Sequence, residues 1–327
     1  MKYFVTGATG FIGSHVVAKL VARGDQLTCL VRNPDKAARL AQQGVTLVKG
    51  EVADRVVMRD AMRGCDGVFH IAALYKLGPA FKAQMAAANV EGTRHTLEAA
   101  VEAGVPKIVY TSTIGVFGNT HGQIVDETYR VEKSSLASEY ERTKWAAHYE
   151  VAVPLQQTGA PIVIVQPGGV TGPGDVSPLN MVYDFYLNRM PIMMGPRAGV
   201  TIAHVDDIAD GHLLAMEKGR TGESYILAGP GITYQAMMEM WQAICGVPAP
   251  RVWLPGWAAA FSANMLGGLE RIFKWKMSLS SEALMTQADY TFYGSAAKAE
   301  RELSWRPRPL EATFAEVLGA KLAQRKK

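Results

Sequence analysis

The chain has few cysteines, little net charge and no unbroken apolar run. Cys29, Cys65 and Cys245 are its three thiols. Scattered in this way they form neither a disulfide framework nor a metal-ligand spacing, so no metal site is expected and a reducing compartment fits best. The net charge is only +4 over 327 residues, with no basic stripe before the terminal Arg325-Lys326-Lys327. That argues against nucleic acid as a partner. Met1 runs directly into a strand pattern, which leaves no signal peptide to read and makes a cytoplasmic location the expectation. The most apolar stretch, 253–273, is interrupted by Pro255, Asn264, Gly267, Gly268 and Glu270. A spanning helix needs about 20 mostly apolar residues. The stretch therefore reads as a buried or pocket-lining helix, with at most weak contact with a membrane surface. There is no internal repeat and no low-complexity linker.

What is present is a globular balance, 48% hydrophobic and 20% charged, in a length that suits one large or two modest domains. The first thirteen residues organise the rest. Lys2 to Thr6 has the β-branched and aromatic content of a buried strand. Gly7, Gly10 and Gly13 punctuate a turn, and from Phe11 the apolar spacing becomes helical through Ile12, Val16, Val17 and Leu20. A helix that opens on glycines after a strand offers free N–H groups and a positive dipole end to a phosphate. The backbone around Thr9, Phe11 and Ile12 would form that cradle.

Further along, strands at 26–32, 45–48, 67–71, 107–111 and 161–166 alternate with helices at 36–42, 54–63, 81–103 and 137–157, the last disturbed near Pro154. This rhythm predicts an α/β fold, a doubly wound parallel sheet with right-handed crossovers. It breaks after Gln166. Residues 1–168 are expected to form the dinucleotide-binding domain and 169–327 mostly a smaller C-terminal substrate-binding lobe, with segment 203–216 returning to the main sheet. Ligands of such sheets lie outside the carboxyl ends of the strands.

Strand two ends Leu30-Val31-Arg32-Asn33-Pro34, without the acid that would hold the ribose hydroxyls of NAD. Arg32 stands there instead, with Lys36 following. A planar guanidinium matches a 2′-phosphate, so NADP(H) is favoured over NAD(H); Arg39 reads as solvated charge. Tyr140 and Lys144, four residues apart, share one helical face and form an acid/base unit. A lysine ammonium beside a phenol favours the phenolate. At the end of strand five, Ser112 and Thr113 offer hydroxyls to a substrate carbonyl.

Together these motifs resemble the extended short-chain dehydrogenase/reductases. The matches run from T-G-A-T-G-F-I-G at 6–13 through Gly50-Glu51, His70-Ile-Ala-Ala73, Asn89-Val-Glu-Gly-Thr93, the segment 110–118, Tyr140 with Lys144 and Pro167–Pro173 to His204-Val-Asp-Asp-Ile-Ala209. The resemblance implies a Rossmann fold in which Tyr140 exchanges the proton. Lys144 would bind the nicotinamide ribose and tune the tyrosine, and Thr113 would be the catalytic hydroxyl, with Ser112 as its understudy. It makes Asn89 a support for the active-site helix or a relay member, and sets Glu51 and Val52 against adenine. Ile71, Ala72 and Ala73 would line the nucleotide channel, and Pro167, Gly168 and Val170 the nicotinamide side. Three positions depart from the family: Glu51 replaces Asp, Gln166 replaces Arg, and Gly169 replaces a substrate-binding Asn. The helices at 81–103 and 137–157 resemble those of a four-helix homodimer interface.

The stretch Val31–Lys36 resembles dihydroflavonol 4-reductase-like enzymes. Leu74-Tyr75-Lys76-Leu77 resembles bacterial proteins described either as such reductases or as hopanoid-associated sugar epimerases. The first expectation is NADPH-dependent reduction of a ketone or aldehyde of a small, apolar substrate. The alternative is a nucleotide-sugar epimerase or dehydratase using the same Tyr, Lys and Thr. A non-catalytic NADP sensor has no use for Tyr140 and Lys144, and a steroid- or lipid-type dehydrogenase is a variant of the first reading. Met181, Tyr183, Phe185, Tyr186, Met190, Met193, Met194 and Trp253 give the second lobe apolar content, most of it expected to be ordinary core, and Arg197 is its one notable cation.

Overall fold

The computed structural model describes residues 1–76, 78–273 and 281–325. Leu77 of the Leu74–Leu77 stretch, and Lys326 and Lys327 of the basic terminus, lie outside them. The strands are β1 (Lys2–Thr6), β2 (Gln26–Val31), β3 (Thr46–Lys49), β4 (Gly67–His70), β5 (Ile108–Thr111), β6 (Ile162–Pro167) and β7 (Gly169–Thr171). They continue with β8 (Ile192–Met194), β9 (Gly199–His204), β10 (Ser224–Leu227), β11 (Gly231–Thr233), β12 (Val252–Leu254) and β13 (Thr291–Phe292). The helices are α1 (Phe11–Ala22), α2 (Ala38–Gln42), α3 (Arg55–Met62), α4 (Lys82–Met85), α5 (Gly92–Glu102), α6 (Glu139–Ala146) and α7 (Val153–Gln157). After them come α8 (Pro178–Leu187), α9 (Val205–Lys218), α10 (Tyr234–Cys245), α11 (Gly256–Phe273), α12 (Ser281–Met285), α13 (Ala297–Leu303) and α14 (Leu310–Arg325).

Seven strands form one sheet in the order β10-β6-β5-β4-β1-β2-β3, and every pairing in it is parallel. Strand alternation divides its apolar side chains between two cores. Val5, Phe69, Val109 and Val165 face α1 and α9 on one side. Phe4, Val68, Ile108 and Ile164 face α3, α5 and the helical segment after Ala146 on the other. Strand order reverses between β1 and β4, which puts the carboxyl ends of those two strands at the topological switch point.

The helix expected over 81–103 is divided. A π turn, Ala86–Glu91, separates α4 from α5. A second π turn, Ala147–Ala152, joins α6 to α7. Pro154 sits in the first turn of α7, where its missing N–H and its ring forbid the regular bond to the previous turn.

Segment 203–216 divides as well. Ala203 and His204 end β9, which lies in a smaller sheet with β7, β11 and β13. Only α9 packs on the large sheet, beside α1. The strand that completes the large sheet is β10, paired with β6 from Ser224↔Ile164 to Leu227↔Pro167. Beyond the small sheet, Tyr183, Tyr186, Trp241 and Phe314 from α8, α10 and α14 build a third core, in which Tyr183 stacks on Trp241 at 4.1 Å. Arg197 is exposed and pairs with Asp289 at 3.0 Å. Among the described residues no helix is long and apolar enough to cross a membrane.

Candidate active site

The glycine turn is shaped by close backbone approach. Gly7 has φ +78°, and a side chain there would meet the Ala72 amide nitrogen at 2.6 Å. A side chain on Gly13 would collide with the Gly7 carbonyl. The Gly10 N–H donates to that carbonyl at 2.9 Å, and no side chain caps α1. The first-turn amides of Phe11 and Ile12 have no intrahelical acceptor, as at any helix start. No acid lies in that turn. An anion is therefore welcome, and the space above Gly10 is bounded only by the Gly7 carbonyl, 3.2 Å from a built Cβ. The residues present fit a dinucleotide pyrophosphate.

Buried hydrogen bonds hold this turn to β4. Thr6 Oγ1 lies 2.8 Å from His70 Nδ1, accepts from the Ala72 amide at 3.3 Å, and His70 Nε2 reaches Thr93 Oγ1 at 3.0 Å. Burial pulls the His70 imidazole down to about 3, with the Lys144 charge acting the same way. Ile71, Ala72 and the exposed Ala73 follow, directly beside Gly7.

On the other side of the turn Arg32 and Lys36 are exposed. Asn33 Oδ1 accepts from the amides of Asp35 and Lys36 at 3.0 and 3.3 Å, so a side-chain turn presents both cations. Neither forms an ion pair among the described residues. Glu51 is exposed past β3, its amide donating to Asp54 Oδ2 at 2.7 Å. Val52 reaches inward over Gly92, where an added Cβ would meet its Cγ2 at 2.5 Å.

Tyr140 and Lys144 lie on α6. Ser138 caps this helix, its hydroxyl accepting from the Glu141 amide at 3.2 Å. The Glu141 carboxylate accepts in return from Ser138 Oγ at 2.7 Å and from the Ala137 amide at 3.1 Å. This is a capping box, legible as Ser138-x-x-Glu141. Burial raises Glu141 to about 7 against those bonds. Lys144 is fully enclosed; its Nζ donates to the Thr111 carbonyl at 2.8 Å and to the Tyr110 hydroxyl at 3.4 Å. Desolvation brings that amine down to about 7. Tyr140 moves the other way, up to about 12, through burial first and the Glu141 charge second, while the Thr113 hydroxyl bond opposes them. The expected lowering of the phenol by Lys144 is thus absent from this arrangement. The ammonium is engaged by β5 and itself titrates near neutrality. At neutral pH Tyr140 is a protonated donor.

The two strand-end hydroxyls separate. Ser112 is buried, 2.8 Å from His148 Nδ1, and has no free path to a substrate. Thr113 keeps a half-buried hydroxyl that accepts from the Gly115 amide at 3.1 Å and lies near enough to Tyr140 to oppose the rise of its phenol. Asn89, in the first π turn, touches neither. Its Oδ1 accepts from the Leu74 amide at 2.7 Å, and its Nδ2 donates to the Leu74 carbonyl and to Thr143 Oγ1, both at 3.0 Å. It ties the loop after β4 to α6.

Two neighbours were given no site role in the sequence. Tyr75, on that same loop, lies against Tyr140 with ring centroids 4.5 Å apart. Glu282 of α12 accepts from the Gly78 and Glu139 amides, each at 3.0 Å, so the second lobe grips both the loop and the start of α6. Pro167 ends β6, and the Gly168 amide donates to the Leu227 carbonyl at 3.0 Å. Val170 pairs with Ala203 in the small sheet. Side chains at 168 and 169 would meet the Thr201 carbonyl at 2.8 and 3.1 Å. The His204-Val-Asp-Asp motif is structural: Asp207 holds Arg308 at 2.9 Å, and Asp206 meets His15 of α1 at 2.6 Å.

Comparison with known proteins agrees with this geometry. A family model described as the NAD dependent epimerase/dehydratase family matches residues 3–228. A Synechocystis protein provisionally named dihydroflavonol 4-reductase is 32% identical over 97% of this chain and 93% of its own. A 4-hydroxy-2-methyl-3-oxo-4-farnesyl-3,4-dihydroquinoline-1-oxide ketoreductase from Stigmatella aurantiaca is 31% identical over 81% and 79%. The crystal structure of gox2253 superposes with a TM-score of 0.84 at 35% identity, covering 99% of this chain and 98% of that one. With the glycine turn at the switch point and Tyr140 and Lys144 at the sheet's carboxyl edge, the chain belongs to the NAD dependent epimerase/dehydratase family, the extended short-chain dehydrogenase/reductases.

Proposed function

We propose that the protein is an NADPH-dependent reductase acting on the ketone or aldehyde group of a small, largely apolar substrate. The observation that carries this reading is the gathering of Tyr140, the Thr113 hydroxyl and the enclosed Lys144 where α6 meets the end of β5. Bound at the glycine turn, a reduced nicotinamide dinucleotide supplies the hydride. Thr113 holds the carbonyl oxygen as negative charge develops on it, and Tyr140 delivers the proton to the alkoxide. Lys144, one turn further along the same helix, is held by the Thr111 carbonyl and the Tyr110 hydroxyl. Arg32 and Lys36 hold the 2′-phosphate, and Asn89 fixes the Leu74 loop against α6. The farnesyl-bearing substrate in the ketoreductase's name supports an apolar pocket.

Nucleotide-sugar epimerisation begins with the same residues, but two features weigh against it. Position 169 is a glycine, without the substrate-binding amide side chain, in a tight site where an added Cβ would meet the Thr201 carbonyl at 3.1 Å, and exposed Arg32 favours an exchangeable NADP(H). A panel of ketones, aldehydes and UDP-sugars, followed by NADPH absorbance and mass spectrometry, tests the proposal. Stoichiometric NADPH loss is expected. An isomerised sugar without net cofactor change would overturn it.

A further inference from the structure

Helix α11 is inverted relative to an ordinary surface helix. Its small residues face inward, with Ala259 0% and Ala263 2% exposed, and its large apolar ones face out. Trp257, Phe261 and Met265 recur every fourth residue, on one face, and are 72%, 61% and 58% exposed. The patch continues onto the strand pair before the helix. Val252 pairs with Ile192 in the parallel β8–β12 ribbon, and Ile192, Val252 and Leu254 are exposed as well. Since α11 runs beside β8, these six exposed apolar side chains lie on neighbouring elements. Faces of this kind mark an interaction surface.

The charges around the face select its partner. Between Glu239 and Glu270 the sequence holds a single charged residue, Arg251, and between Asp184 and Asp206 only Arg189 and Arg197. Arg197 is paired with Asp289. Arg251 directly precedes Val252, and Arg189 lies two residues before Pro191, whose carbonyl accepts from the Val252 amide at 3.3 Å. Both arginines are exposed and form no ion pair among the described residues. An apolar face carrying an outward tryptophan, with Arg189 and Arg251 unpaired near it and its neighbouring acid Asp289 neutralised by Arg197, matches the interface of an anionic bilayer.

We propose that the α11 face and the β8–β12 ribbon rest on the surface of an anionic membrane, with Trp257, Phe261 and Met265 in the acyl boundary and Arg189 and Arg251 at the headgroups. The helix lies in the interface plane and does not span. The inward side of α11 lines a cavity with Ala137 and Glu282, but Trp257, Phe261 and Met265 point the other way, to solvent, so occupancy of the outer face is separable from the chemistry.

Flotation of the full chain with phosphatidylcholine vesicles, with and without phosphatidylglycerol, tests this. Flotation with the anionic vesicles is expected, with a blue shift of tryptophan emission. Phe261→Glu lowers the bound fraction about tenfold or more, the scale of one lost buried aromatic side chain. Arg251→Glu weakens binding mainly at low salt. Both variants keep wild-type turnover of a water-soluble carbonyl substrate, which separates this proposal from the reductase reading. No flotation, equal flotation of Phe261→Glu, or a soluble dimer that Phe261→Glu dissociates without any vesicle binding would each overturn it.

Discussion

The ring of Tyr75 leans on the ring of Tyr140, centroids 4.5 Å apart and planes tilted by 59°. Tyr75 comes from the loop after β4, whose Leu74 backbone is held on both sides by Asn89. The contact therefore limits how the proton donor moves. An aromatic pair of this kind is worth about 0.5–1.5 kcal/mol. Tyr75→Ala is expected to lower kcat up to about tenfold, whereas Tyr75→Phe keeps near-normal kcat. Equal losses in both variants would give the Tyr75 hydroxyl, not its ring, the main role.

Tyr140→Phe removes the proton and leaves the ring. Turnover is expected to fall about a thousandfold, within the usual range for a lost general acid, while nucleotide affinity measured by fluorescence stays unchanged. Near-normal turnover would take Tyr140 out of the chemistry.

Lys144 gives a stability prediction with a definite sign. A freely solvated lysine amine titrates at 10.5, and enclosure in the fold brings this one to about 7. Above 10.5 both folded and unfolded states are neutral and burial carries no penalty. As pH falls through that window the unfolded chain takes up a proton that the folded chain refuses, so stability declines and levels off below about 7. Lys144→Met should raise the melting temperature of the nucleotide-free protein at neutral pH, with a gap that grows from about pH 10 downward, while abolishing turnover. A lower melting temperature in the variant would show that the bonds to Thr111 and Tyr110 outweigh desolvation.

Arg32→Asp is expected to weaken NADPH about ten- to hundredfold, the scale of a charge-assisted hydrogen bond, and to leave NADH equal or preferred. Titrating both nucleotides measures it. An unchanged ratio would move 2′-phosphate recognition away from Arg32.

The parts of this molecule legible in the sequence are those set by local chemistry. The glycine turn, the strands from Lys2 to Gln166 and the Tyr140–Lys144 pair each lie within a few turns or one strand. The preference for Thr113 over Ser112 came only from the resemblance; the physical difference between them lies with His148, thirty-six residues from Ser112, which takes the Ser112 hydroxyl. Tyr75 and Glu282 reach Tyr140 and α6 across separations that no periodicity records. The strand Ser224-Tyr-Ile-Leu227 was missed for a similar reason. Four residues carry little period of their own, and what identifies them is an open edge on β6. The apolar strand just before α9 drew the assignment instead, but its partners are β7, β11 and β13.

That late strand bears on how the protein comes into being. During synthesis the first six strands are complete by Pro167, but the neighbour of β6 is not made until Leu227. For some sixty residues of elongation the nascent chain carries an open, largely apolar sheet edge beside the future active site. Such an edge invites pairing with other chains. A ribosome stalled or a chain cleaved between those two points would release an aggregation-prone fragment, and chaperone capture of nascent chains should peak in that interval.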